Sequence, residues 1–341
     1  MIAAMIAAVI ARLRDARFLS LAFAGAMLGA AFLFPRAEAV RNGADLLLTL
    51  DITGSMNTRD YALDGAPASR IEFAKRALRR LVADLPCPSR AGLAIFTERE
   101  PFLLFEPIDV CTNFAAIDAA IAALDWRMAW EGDSRISAGF FRAVEMARRI
   151  DADLVFVTDG QEAPPLPAYG APVFEGKRGE VLGLILGAGG YEPAPIPKFD
   201  DRGREIGFYG ADEVPHESRF GLAPPGAEQH EGYNPRNAPF GSAMTIGTEH
   251  LSSVREPYLR QLAETTGLAY AHLEKPDGLA AALLAVAHPR PSLAPVDLRP
   301  AFAAAALAGF AVLYLVIPLA EILLLRRRRS RLATALPRRL T

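Results

Sequence analysis

Residues 301–325 (AFAAAALAGFAVLYLVIPLAEILLL) carry a single charge, Glu321, and four arginines, Arg326–Arg329, follow at once. About 20 apolar residues cross the hydrocarbon core of a bilayer as a helix, and arginines flanking a span stay cytoplasmic. The stretch reads as a transmembrane helix, and 326–341 as a basic cytoplasmic tail. A buried core helix would not run into such an arginine block. A second apolar run, 18–34 (FLSLAFAGAMLGAAFLF), follows Arg12, Arg14 and Arg17, which keeps 1–17 cytoplasmic by the same rule. Ala37-Glu38-Ala39 has the small-x-small form of a cleavage site, so the run is either a retained transmembrane anchor or a signal peptide. Pro35 and Arg36 crowd that site and favour the anchor. Either way 36–300 lies on the far side of the membrane.

The exported part alternates buried strands with amphipathic helices. Residues 45–50 (DLLLTL), Asp153–Thr158 (DLVFVT) and Val181–Leu186 (VLGLIL) read as strands covered on both faces. Residues 69–85 repeat apolar side chains at helical spacing above a basic outer face, and Pro86 ends them. Ala91–Phe96 and Pro101–Phe105 form a strand pair around the turn Thr97–Glu100. Residues 112–124, 134–149 and 256–266 read as helices, and Ala269–Leu273 as a last strand. This order predicts an α/β fold, doubly wound around a mostly parallel sheet. Residues 190–255 interrupt it with many Pro and Gly and little periodicity. Their aromatics, Phe199, Phe208, Tyr209, Phe220, Tyr233 and Phe240, favour an ordered insertion that faces a partner.

Two of the strands run into an acid. Asp51 ends one and Asp159 another, and ligands of open α/β sheets gather at the carboxyl ends of the strands. Thr53 and Ser55 follow Asp51, and Ser134 opens the helix 134–149 on a loop that reaches the same rim. Carboxylates and hydroxyls without His or Cys are hard ligands, suited to Mg²⁺ first, with Ca²⁺ and Mn²⁺ as alternatives. Left without a cation, the two carboxylates would repel.

Asp51-Ile52-Thr53-Gly54-Ser55 resembles the D-x-S-x-S signature of the von Willebrand factor A (vWA) domain, and Thr158-Asp159-Gly160 its T-D-G. Ser134 stands where that family places a threonine. Thr for the first serine and Ser for the threonine are departures that keep the hydroxyl. The resemblance implies a Rossmann-like vWA core over 44–190, completed by 256–290 after the insertion and flanked by transmembrane helices. It implies a metal-ion-dependent adhesion site of Asp51, Thr53, Ser55, Ser134 and Asp159, in which a protein partner supplies a carboxylate to the metal. Spans around such a domain are similar to the membrane-anchored bacterial vWA proteins of the Bat type, associated with MoxR-type AAA+ ATPases. The stretch TLDITGSMNTRD (49–60), with the long aromatic insertion, is most similar to the L protein of the methanol-oxidation (Mxa) cluster. These likenesses imply the bacterial inner membrane, with the domain in the periplasm. The implied roles are assembly or metal loading of a periplasmic methanol dehydrogenase, or envelope-stress and maturation work with a MoxR-type ATPase and other vWA proteins.

The residues argue against an enzyme. The five histidines are scattered with no HExxH, and no GxxxxGK[ST] loop is present, which leaves a metal-dependent hydrolase as the weaker alternative. A net charge of −2 points away from nucleic acid. The two cysteines, Cys87 and Cys111, flank the strand pair at the end opposite its turn. Export permits a disulfide between them, and two buried free thiols are the alternative.

Overall fold

The computed structural model describes residues 15–130, 132–166, 170–214, 247–323 and 326. The middle of the predicted insertion and most of the two termini predicted to be cytoplasmic lie outside the described residues. The chain divides into two units, 41–292 and the pair 1–40 with 293–341.

The larger unit is built on a six-stranded sheet. In chain order its strands are β2 (Asp45–Asp51), β5 (Arg90–Thr97), β6 (Glu100–Asp109), β7 (Asp153–Thr158), β8 (Gly183–Gly187) and β13 (Ala269–His272). Across the sheet they run β13-β8-β7-β2-β5-β6, with only the β5–β6 pair antiparallel. The run DLLLTL is apolar throughout because both faces of β2 are covered. Leu46, Leu48 and Leu50 pack toward α2 (Arg70–Asp84) and α3 (Val110–Ala123). Leu47 faces the opposite way, into a cluster with α4 (Ile136–Arg149) and α5 (Glu256–Thr266). A short helix, α6 (Leu279–Leu284), completes the first layer. The predicted α/β fold with its mostly parallel sheet is therefore present.

Several boundaries differ from the sequence reading. The strand expected at Val181–Leu186 begins at Gly183. There φ is +124° and a Cβ would stand 2.0 Å from the Leu154 carbonyl oxygen, so only glycine lets β8 approach β7. Ser134 does not open its helix, which starts at Ile136. Its N–H and C=O instead both bond Ala163, at 2.7 Å each. A small hairpin, β3 (Tyr61–Leu63) and β4 (Ala66–Ala68), turns through Asp64 and Gly65 with φ of 52° and 83°, the sign of a type I′ turn. The described parts of the insertion are also paired. β9 (Ala194–Pro195) joins β12 (Leu251–Ser252), and β10 (Pro197–Phe199) joins β11 (Glu205–Phe208). Cys87 and Cys111 are bonded to each other, with Cα atoms 5.9 Å apart, at the open end of the β5–β6 hairpin.

The smaller unit holds two helices long and apolar enough to cross a membrane, α1 (Ala16–Leu33) and the helix Arg299–Leu323, which begins with α7 (Arg299–Ala311). They meet through small residues. Ala24 and Ala306 are buried, and a Cβ on Gly309 would stand 3.2 Å from the Ala24 methyl and from the Ser20 carbonyl oxygen. Arg17 pairs with Glu321 at 2.6 Å. β1 (Arg36–Gly43) follows α1 directly, and β14 (Arg290–Asp297), which leads into α7, pairs with it.

Candidate metal centre

Register places the predicted site. Leu50 lies opposite Val157 on β7, so Asp51 is level with Thr158 and both strands end at one rim. Asp51 is fully buried. Its Oδ1 accepts from the Thr53 N–H at 2.9 Å and from the Thr53 hydroxyl at 2.7 Å. Its Oδ2 accepts from the Thr158 hydroxyl at 2.7 Å. Burial, then the charge of Asp159, pushes the Asp51 carboxyl up to about 7, against the hydrogen bonds from Thr158 and Thr53 that favour its ionised form. A cation beside it would also favour the ionised form.

The T-D-G triplet divides three tasks. Thr158 orients Asp51, and its own hydroxyl accepts from the Gly160 N–H at 3.0 Å. Gly160 takes φ +81°, which turns the chain back beneath Leu259. Asp159, also fully buried, accepts from the Gln161 N–H at 2.9 Å through Oδ1. Its Oδ2 accepts from the Arg70 guanidinium at 2.7 Å and from the Ser252 hydroxyl at 3.0 Å.

The two serines are in a different state. Ser55 and Ser134 are buried, and neither hydroxyl has a hydrogen-bond partner. A buried hydroxyl left unpaired costs on the order of 1–3 kcal/mol, which invites an explanation. Thr49, Thr58, Thr97 and Tyr270 also hold unpaired hydroxyls. Of these six, Ser55 and Ser134 line one cavity of about 540 Å³, whose wall also includes Thr53 and none of the other four. Gln161 lines it too, with an unpaired buried Oε1, an oxygen that the sequence reading missed. Hydroxyl and amide oxygens thus share the wall of one cavity, while Asp51 and Asp159, next to them in the chain, are buried behind it and do not line it. All are hard oxygen donors of the kind that Mg²⁺, Ca²⁺ or Mn²⁺ takes. Among the described residues no group of three His, Cys, Asp or Glu could hold a metal, so a site here depends on neutral oxygens.

The Ser134 loop is held from several sides. Besides its bonds to Ala163, the next residue, Arg135, donates its N–H to the Glu98 carbonyl at 2.6 Å. Glu162 accepts from the N–H groups of Ile136 and Ser137, at 3.1 and 2.8 Å, at the start of α4. The residues after the T-D-G thus also fix the third predicted hydroxyl, that of Ser134. The insertion supplies the far wall of the cavity, with Ile196, Asp200, Tyr209 and Val214. Phe199 stacks on Trp126 at 4.2 Å between ring centres.

Residues 46–161 match the family model of the von Willebrand factor type A domain. This stretch of the chain is a vWA domain. Among solved structures, the chain is similar to an aerotolerance-related membrane protein from Bacteroides fragilis NCTC 9343. Identity is 16% and TM-score 0.43, covering 71% of this chain and 98% of that one. It is also similar to the conserved hypothetical protein BatB from Bacteroides thetaiotaomicron, at 18% identity and TM-score 0.38, covering 67% and 90%. The vWF domain of the type V pili tip protein Mfa5 from Porphyromonas gingivalis gives 21% identity and TM-score 0.27, covering 38% and 42%. No curated protein sequence matches significantly.

One expectation about the vWA site is corrected. The two rim carboxylates are not uncompensated without a cation, because Arg70 pairs with Asp159 from inside the protein, although the Asp159 charge still raises the Asp51 carboxyl. The sequence reading gave this helix a basic outer face without separating Arg70 from it, and the Arg70 side chain is fully buried. A signal was present. Arg70 is the first residue after the N-cap Ser69, where a cation opposes the helix dipole. An arginine placed there needs an acid.

Proposed function

We propose that this vWA domain binds one divalent cation, Mg²⁺ first, through the hydroxyls of Thr53, Ser55 and Ser134, with Asp51 and Asp159 behind them as its negative charge. The observation that carries the proposal is the pair of unpaired buried hydroxyls, Ser55 and Ser134, on the wall of one cavity. The cation would supply an open position for the carboxylate of a protein partner. The domain would act by binding and not by catalysis.

The cavity favours a partner that touches both the cation site and the insertion, since residues of both line it. The two apolar helices and the arginine flanks support a bacterial inner-membrane protein with its vWA domain in the periplasm. The process we propose is assembly or metal loading of a periplasmic methanol dehydrogenase. The aromatic insertion, part of which stacks against the domain beside the site, favours it over a general Bat-type role with a MoxR-type ATPase.

Calorimetric titration of the full chain in detergent tests the cation. Wild type should bind Mg²⁺ at one site, and Ser55→Ala with Ser134→Ala should weaken it at least about tenfold. Neither substitution breaks a hydrogen bond of the metal-free protein, so its melting temperature should hold or rise. Unchanged Mg²⁺ affinity in the double variant would reject the site.

A further inference from the structure

Arg70 occupies a place that the cation reading does not use. All five of its N–H groups are taken up inside the protein. Nη1 donates to Asp159 Oδ2 at 2.7 Å and to the Ser252 hydroxyl at 2.6 Å. Nη2 donates to Asp60 Oδ2 at 2.6 Å and to the Ser252 carbonyl at 2.9 Å. Nε donates to Asp60 at 3.0 Å. The cage around the guanidinium is built to shape. Gly189 has φ +117°, and a Cβ there would stand 2.6 Å from Arg70 Nε. The Gly190 N–H fixes Asp60 Oδ2 at 2.8 Å.

The two rim acids are therefore unequal. Asp51 accepts only from neutral donors, those of Thr53 and Thr158. Asp159 is tied to a permanent cation with no water between them. A second cation drawn to the rim meets an Asp159 whose charge is already answered, and it meets the guanidinium's positive field as well.

We propose that Arg70 is a positioning residue and built-in counter-ion that holds Asp159 away from the bound cation, leaving Asp51 as the dominant carboxylate of the site and limiting its affinity. The proposal rests on the cation site described above. It also ties the site to β12, because Ser252 gives both its hydroxyl and its carbonyl to Arg70. The end of the insertion and the acid of the T-D-G are thus held by one side chain.

Mg²⁺ titration of the full chain in detergent separates the possibilities. Asp51→Asn should lower affinity by about 30-fold or more, and Asp159→Asn by less than about fivefold, since Arg70 keeps Asp60 as its partner. Arg70→Met should raise affinity about tenfold by freeing the Asp159 charge, and Arg70→Lys should restore a value near wild type. A purely structural role for Arg70 predicts the opposite sign, because a collapsed site binds less well. Asp159→Asn as damaging as Asp51→Asn overturns the proposal, as does a folded Arg70→Met chain that binds no better than wild type. Should Arg70→Met fail to fold, the comparison of the two aspartate variants decides. A wild-type chain that takes up no Mg²⁺ removes the cation site itself, and this proposal with it.

Discussion

Single residues here act mostly by where their polar atoms end. Thr53 and Thr158 donate their hydroxyl hydrogens to Asp51, while the hydroxyls of Ser55 and Ser134 have no partner. These four hydroxyls are alike in chemistry and burial, and only the tertiary neighbours distinguish them. Glycine shows the same dependence on place. At Gly54 a Cβ would meet nothing within 4 Å, whereas at Gly183 it would meet backbone at 2.0 Å with φ at +124°. Gly183→Ala should therefore cost about 3 kcal/mol or more, through strain at a left-handed backbone and lost β7–β8 pairing. Gly54→Ala should stay within about 1 kcal/mol. Chemical denaturation of the two variants checks this; equal midpoints would mean that β8 moves to accommodate the methyl.

At the scale of elements, the helix and strand periods were legible because each is written in consecutive residues. The helix expected at 256–266 is Glu256–Thr266, and the strand expected at Asp153–Thr158 is unchanged. The β3–β4 hairpin was missed: Asp64-Gly65 is a strong two-residue turn signal, but its strands of three residues are too short to show a period. β1 and β14 lacked any such signal, being mostly exposed and forming a sheet of only two strands. The β5–β6 hairpin carries the Cys87–Cys111 bond across a separation of 24 residues. A loop of that size gains about 3 kcal/mol from a disulfide in the chain-entropy model. Cys87→Ser with Cys111→Ser should lower stability by roughly that amount, and reduction of the wild type should match it. A double variant as stable as wild type in both states would show that the bond does not hold the hairpin.

For the whole molecule the decisive question is how the chain meets the membrane. Removal of residues up to Ala39 would cut β1, which runs from Arg36 to Gly43, and would strip Ala24 from its contact with Gly309. A retained anchor keeps both contacts, and a cleaved signal peptide loses them. Val173 is 84% exposed, and the two native cysteines are bonded to each other. A Val173→Cys chain with an N-terminal epitope should react with a membrane-impermeant maleimide in intact spheroplasts, as a band that the epitope antibody also detects. Labelling only after permeabilisation would reverse the orientation. A labelled band without the epitope would mean that the first segment is removed.

The sequence by itself determined the apolar spans, the alternation that makes an α/β sheet, and the acids that close two of its strands. All of these are local, carried by length, period and neighbouring residues. Tertiary structure decided which atoms those acids answer. Arg70 reaches Asp159 across 89 residues of chain, and Gln161 reaches the carbonyl of Glu249 across 88. No period encodes such a pairing. Whether an amphipathic side chain such as arginine lies on a surface or at the centre of a charge network depends on what the fold brings beside it.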